Sequence, residues 1–158
     1  MSSTTEFAAD PNLENRHLAA EAKTTSFAYA KPDEVKAVKG WIKLGQVGNI
    51  RSVIQVVKKH GGENNLHYHT TIDSFWMVLK GRVRFYGPGD APIGEFGPNE
   101  GTFTPAYARY WFENVGDEDL ELLQVSAFET GAPNAGRTDA SPQRYKVGSG
   151  DKFDARKD

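Results

Sequence analysis

The chain has 158 residues, 25% charged and 38% hydrophobic, with a formal net charge of −2, which is the profile of one globular domain large enough to bury a core. That charge is too small to mark a nucleic-acid or membrane partner, and the densest basic pairs, Lys58-Lys59 and Arg156-Lys157, read as solvated surface. With no cysteine, disulfide frameworks, thiolate metal sites and cysteine nucleophiles are excluded together.

Residues 1 to 39 read as a polar, partly ordered arm. The opening MSSTTEFAADPNLENRH lacks the basic and apolar regions of a secretory signal. No apolar run approaches the roughly 18 residues of a membrane span, so a cytoplasmic location is expected. Asp10-Pro11 is a helix start, with Asp10 as cap and Pro11 at the first helical position. Leu13 and Leu18 give that helix a thin apolar face, which predicts a mobile segment or one that docks on a partner subunit.

From Trp41 the pattern changes to short runs of β-branched and aromatic residues. Trp41–Leu44, Ile50–Val57, Ser74–Leu79, Arg82–Tyr86, Thr102–Thr104, Tyr110–Phe112 and Leu120–Val125 are separated by turn signals, among them Gly48-Asn49, Gly61-Gly62, Lys80-Gly81 and Gly97-Pro98. Many short strands at near-regular spacing predict an all-β, antiparallel sandwich or barrel over residues 40 to 128. Residues 129 to 158 read as a polar C-terminal extension, loosely packed and anchored through Tyr145, Val147 and Phe153.

The central segment resembles the cupin superfamily. That family's first motif runs Gly, five residues, His-x-His, three or four residues, Glu, six residues, Gly; here Gly61, His67-Tyr68-His69 and Gly81 keep the spacing. Its second motif runs Pro-x-Gly, two residues, His, three residues, Asn, and here Pro105, Tyr107, Tyr110 and Asn114 fall at those positions. The resemblance implies a single jelly-roll barrel of the RmlC-like type.

In metal-binding cupins the two His and the Glu of the first motif act with the His of the second. Here His67 and His69 remain. Counting back from Gly81 places Ser74 where the Glu belongs, and counting forward from the His pair across three residues places Asp73 there. The two counts differ by one residue, which on a strand means opposite faces. The Gly81 register is preferred because a strand is fixed at its turn, while Asp73 serves if a bulge lies nearby. Tyr110 takes the place of the second-motif His.

His67 and His69 stand two apart, so on a strand they share a face, about 6.6–6.8 Å apart along it. That arrangement suits Fe, Mn, Ni, Cu or Zn, with Asp73, Tyr110 or His60 as further ligands; alternatively both rings belong to a polar layer bonded to Tyr110 or Gln55. Phenol ionises near pH 10, so Tyr110 is either a hydrogen-bond donor to a ligand or simple aromatic packing. His60 is a turn histidine or a third nitrogen folded over the mouth, and His17 receives no role. Arg51 shares a face with Gln55, as Arg82 does with Arg84; each Arg is a surface residue or, facing inward, a clamp for a carboxylate or enolate. Glu95, Glu100 and Glu113 match no catalytic carboxylate spacing.

Three functions follow. The first is a metal-dependent enzyme, dioxygenase-like or an isomerase or lyase, acting on a small organic substrate. The second is a metal-free enzyme with His67 or His69 as base and Tyr110 as acid. The third is a non-catalytic small-molecule-binding barrel. A homodimer is expected, since cupin barrels commonly pair through an outer sheet.

Overall fold

The computed structural model describes residues 9–60, 63–129, 136–141 and 150–157; the Gly61-Gly62 turn and the expected anchors Tyr145 and Val147 lie outside them. The first described element is helix α1 (Leu13–Glu21), none of whose residues is buried. Asn12, not Asp10, takes the cap position. Asp10 instead accepts the Asn12 amide at 2.9 Å and pairs with Arg16 at 2.8 Å.

The strands follow in the order the apolar runs foretell: β1 (Ser26–Phe27), β2 (Lys39–Val47), β3 (Ile50–Val57), β4 (His67–Tyr68), β5 (Ile72–Lys80), β6 (Val83–Tyr86), β7 (Pro92–Phe96), β8 (Gly101–Thr104), β9 (Trp111–Asn114) and β10 (Leu120–Phe128). Three more come from the tail: β11 (Thr138–Asp139), β12 (Asp151–Asp154) and β13 (Arg156–Lys157). One sheet has the order β12-β2-β3-β10-β5-β8, and another the order β7-β6-β9. A bridge between His67 and Tyr110 attaches β4 to the smaller sheet, and β11 pairs with β4.

Turn chemistry sets the registers. Gly48-Asn49 closes the β2–β3 hairpin between Val47 and Ile50. Of the two loop residues Gly48 alone has positive φ, +58°, the pattern of a II′ turn with glycine first. Gly81 lies at φ +91°, where a β-carbon would stand 3.2 Å from the Asp119 carbonyl oxygen and Leu120 Cα. Glycine is required there twice over, for its conformation and for close backbone approach.

Alternation along the strands divides the apolar residues into two layers. Between the sheets lie Val57, Trp76, Val78, Leu120 and Leu122 of the larger, facing Val83, Phe85 and Phe112 of the smaller, with Tyr110 among them. On the outside of the larger sheet Ile42, Leu44, Ile54 and Val56 form a second cluster. That face would be exposed in a bare barrel, and both termini cover it. Val35 is buried there, with Tyr29, Phe153 and Ala155 packed alongside.

Tyr29 donates to Glu121 at 2.5 Å, Lys31 pairs with Asp119 at 2.8 Å, and β1 pairs with β13. The tail is therefore less loose than its polarity implies. β12 joins the sheet as a parallel edge strand, with Phe153 opposite Ile42. A polar strand is sufficient because one residue in two faces the outer cluster. No described helix is long and apolar enough to cross a membrane.

Candidate functional site

His67 opens the two-residue strand β4 and His69 follows directly after it, so their placement depends on what flanks them. On one side Tyr110 exchanges both backbone hydrogen bonds with His67, at 3.1 and 3.0 Å. The Tyr107 amide holds the His69 carbonyl at 2.7 Å. On the other side β11 sets Asp139 opposite His67. The preceding loop is buried: Asn64 accepts the Phe112 amide at 2.8 Å, and the Asn65 carbonyl lies 2.7 Å from His67 Nδ1. A carbonyl oxygen only accepts, so Nδ1 carries the proton and Nε2 presents a lone pair.

The two imidazoles meet edge to face at 5.3 Å between centroids, and the Tyr110 ring lies 4.4 Å from that of His67. His69 Nδ1 and Gln55 Oε1 are buried without a hydrogen-bond partner among the described residues. Native interiors leave few such atoms unpaired, so these are the atoms a ligand would satisfy. Burial, aided by the charge of Arg137, pushes His67 down to about 3. His69 is lowered by burial, then by Arg137 and Arg51. Burial pushes Tyr110 up to about 12, against an opposing hydrogen bond with Thr104. Both rings and the phenol are therefore neutral across the physiological range, and neither His67 nor Tyr110 is poised to exchange a proton there.

Several sequence expectations are corrected. Asp73 points outward and is exposed, accepting the Ala106 amide at 2.8 Å. No bulge falls between it and the inward residues Ser74 and Trp76, so it is not a metal ligand. Ser74 is 3% exposed and faces inward, as the Gly81 register requires, with Ser126 and Gln124 each 3.4 Å away. His60 is exposed at a positive-φ turn and brings no third nitrogen to the pair. Gln55 bonds Gln124 at 2.9 Å, and Tyr110 bonds Thr104, so the histidines take neither as a partner. Arg82 and Arg84 both pair with Glu95 on the outer surface.

Arg51 takes the inward alternative. It shares alternation with Val53, Gln55 and Val57, and its guanidinium lies 4.8 Å from the Phe128 ring centroid. A cavity of about 740 Å³ opens on this inner face against Trp41, Lys43, Arg51, Val53 and Gln124, with β12 along its rim.

The sequence reading missed Asn65, Thr104 and Arg137. Thr104 accepts the Trp76 indole N–H at 2.9 Å as well as bonding Tyr110. Asn64-Asn65 just before a His-x-His was a legible signal, since an asparagine pair in a buried loop must bond something. Arg137 gave none, because nothing in the tail shows that β11 returns to β4.

The family model described as a cupin domain matches residues 53–126. That match spans a little under half of the chain, and the fold agrees with it as a cupin-type jelly roll. Among solved structures it is similar to a conserved protein with a double-stranded β-helix domain from Klebsiella pneumoniae, at 15% identity and a TM-score of 0.54, covering 90% of this chain and 98% of that one. It is also similar to the cupin domain of Schizosaccharomyces pombe Cnp3, at 14% identity and a TM-score of 0.55, covering 65% and 74%. An RmlC-like cupin from Methanocaldococcus jannaschii gives 15% identity and a TM-score of 0.52, covering 68% and 91%. These identities speak for the fold alone. No curated protein sequence matches the chain.

Metal-binding cupins hold their ion with four side chains, and this chain has two of them. The other two positions are Ser74, a neutral hydroxyl, and Tyr110, a phenol that keeps its proton. No group of three His, Cys, Asp or Glu converges among the described residues. The positive field of Arg137 and Arg51 that opposes protonation of His69 also opposes a dication beside it. The donor set does not fit a tightly held metal ion.

Proposed function

We propose that this chain is a small-molecule-binding protein that works without a resident metal ion, its barrel taking an organic ligand against the neutral His67–His69 pair. The observation that carries the reading is the fixed tautomer of His67. With Nδ1–H committed to the Asn65 carbonyl, Nε2 is left as an acceptor for a donor on the ligand. His69 Nδ1 and Gln55 Oε1 are two further buried atoms without a hydrogen-bond partner among the described residues. Arg51, on the wall of the cavity, lies near enough for its charge to act on His69, although neither histidine lines that cavity. Acid–base turnover by His67 and Tyr110 gains no support from groups held near 3 and near 12.

Elemental analysis of the purified full chain beside a His67→Ala/His69→Ala variant tests this, before and after incubation with Fe(II), Mn, Ni, Cu and Zn. Sub-stoichiometric metal in both proteins is the expected result. Near-stoichiometric metal in the parent that disappears in the variant overturns it and restores the metal-dependent enzyme.

A homodimer is proposed alongside, paired through the outer face of β5 and β8. Phe75 and Phe103 meet edge to face there at 5.3 Å between centroids, and Phe103 is 73% exposed at the sheet edge, an apolar patch that a second copy would cover. Light scattering of the parent and of Phe103→Ser decides it. A parent of monomer mass removes the proposal.

A further inference from the structure

The charges on the cavity wall are lopsided. Lys43, Arg51 and Lys152 line it together with a single carboxylate, Asp154. Asp154 is already occupied, since Arg156 grips it through two nitrogens at 2.6 to 3.0 Å. Lys43 acts on Asp154 as well, through its charge. Among the described residues, Arg51 and Lys152 have no acidic partner within the cavity.

Arg51 is the more telling of the two. It is part-buried on the inner face of a central strand, one side of its guanidinium covered by the Phe128 ring. A part-buried guanidinium without a counter-ion is costly, whereas a planar carboxylate matches its fork through two parallel hydrogen bonds. Trp41 supplies an aromatic face in the same cavity, and Gln46 and Gln124 supply amides. About 740 Å³ is far more than a bare anion fills and lies in the range of pockets for small organic molecules.

We propose that the ligand is an organic carboxylate with an aromatic or unsaturated body, its carboxylate held by Arg51 with support from Lys152 and its body laid on Trp41 toward the histidines. This deepens the small-molecule reading above and rests on it. The rest of the ligand would present a hydrogen-bond donor to His67 Nε2, as a hydroxyl group does.

The test is calorimetric titration of the full chain with 4-hydroxybenzoate, 4-hydroxyphenylacetate and 4-hydroxycinnamate, each beside its uncharged amide, and with inorganic phosphate. The expected result is saturable binding of at least one acid at millimolar or lower concentration, about tenfold or more tighter than its amide and than phosphate. Arg51→Gln is expected to remove that margin, with Arg51→Lys intermediate and circular dichroism confirming that both variants fold. Binding of no acid, equal binding of acid and amide, or an acid affinity indifferent to Arg51→Gln overturns the proposal. Acid binding that survives in Arg51-intact protein but is abolished by a chelator overturns the metal-independent reading and leaves Arg51's role in place.

Discussion

His67 and Tyr110 face each other across one antiparallel bridge, backbone to backbone at 3.1 and 3.0 Å and ring to ring at 4.4 Å. In metal-binding cupins that second position is a histidine. The tyrosine keeps the geometry and changes the chemistry, since its hydroxyl turns to Thr104 and its ring joins Trp76 and Phe85 in the core. If this site has lost its metal by substitution alone, putting the ligands back should restore it. Ser74→Glu/Tyr110→His is therefore expected to bind one divalent ion per chain where the parent holds none. Isothermal titration with Zn and Ni reads the outcome. A folded double variant that stays metal-free would mean that Ser74 and Tyr110 do not converge on the His pair.

Tyr107 stands where the second motif has glycine, and it keeps the glycine conformation, at φ +68° with a 70% exposed side chain. A non-glycine residue held in that region costs about 1 kcal/mol or more. Tyr107→Gly and Tyr107→Ala remove the same exposed ring and differ in backbone freedom. The glycine variant should be the more stable of the two by a few tenths to about 1 kcal/mol, once the greater freedom of its unfolded chain is counted. Urea denaturation of the pair measures this, and equal midpoints would argue against strain at this turn.

The strands from Trp41 to Phe128 were legible because each run is short, β-rich and closed by a turn residue, and because alternation needs no distant partner. The inward position of Ser74 was legible too, since Gly81 anchors the register. What could not be read was whatever depends on which strand lies next to which. Arg51 and Arg82 look alike in sequence; the first faces the cavity, and the second meets Glu95 across β6 and β7. The tail looked loose because β12 is polar, yet a parallel edge strand beside β2 needs one apolar residue, Phe153, on its covered face.

Asp73 provides a direct check on that register. It is exposed and holds the Ala106 amide at 2.8 Å, steadying the turn that leads to Tyr107. Asp73→Ala should cost about 1 kcal/mol of stability, the ordinary worth of one such hydrogen bond, and leave ligand affinity as it was. Thermal unfolding and titration of the same preparation give both answers. A large fall in affinity with little change in stability would place this carboxylate in the pocket after all.

Lys39 gives the pH prediction. Its ammonium lies 5.1 and 5.6 Å from the Phe112 and Trp41 ring centroids. Burial, then the charge of Arg137, push it down to about 8 from 10.5, against a smaller opposing pull from Glu63. Between those two values the folded chain binds fewer protons than the unfolded chain, so stability rises with pH from about 8 toward 10.5. Burial raises Tyr29 and Tyr110 above their ordinary value, so above about pH 10 the unfolded chain loses phenolic protons first and stability turns down. The stability profile should therefore peak on the alkaline side. Lys39→Met keeps the aliphatic stem and removes the charge, so it should stabilise the fold at pH 7 by on the order of 2 kcal/mol and flatten the alkaline rise. Denaturant midpoints at intervals from pH 6 to about pH 11 settle the point. A parent profile level between 8 and 10, or a Lys39→Met variant that still climbs, would show that this amine is solvated in the native state.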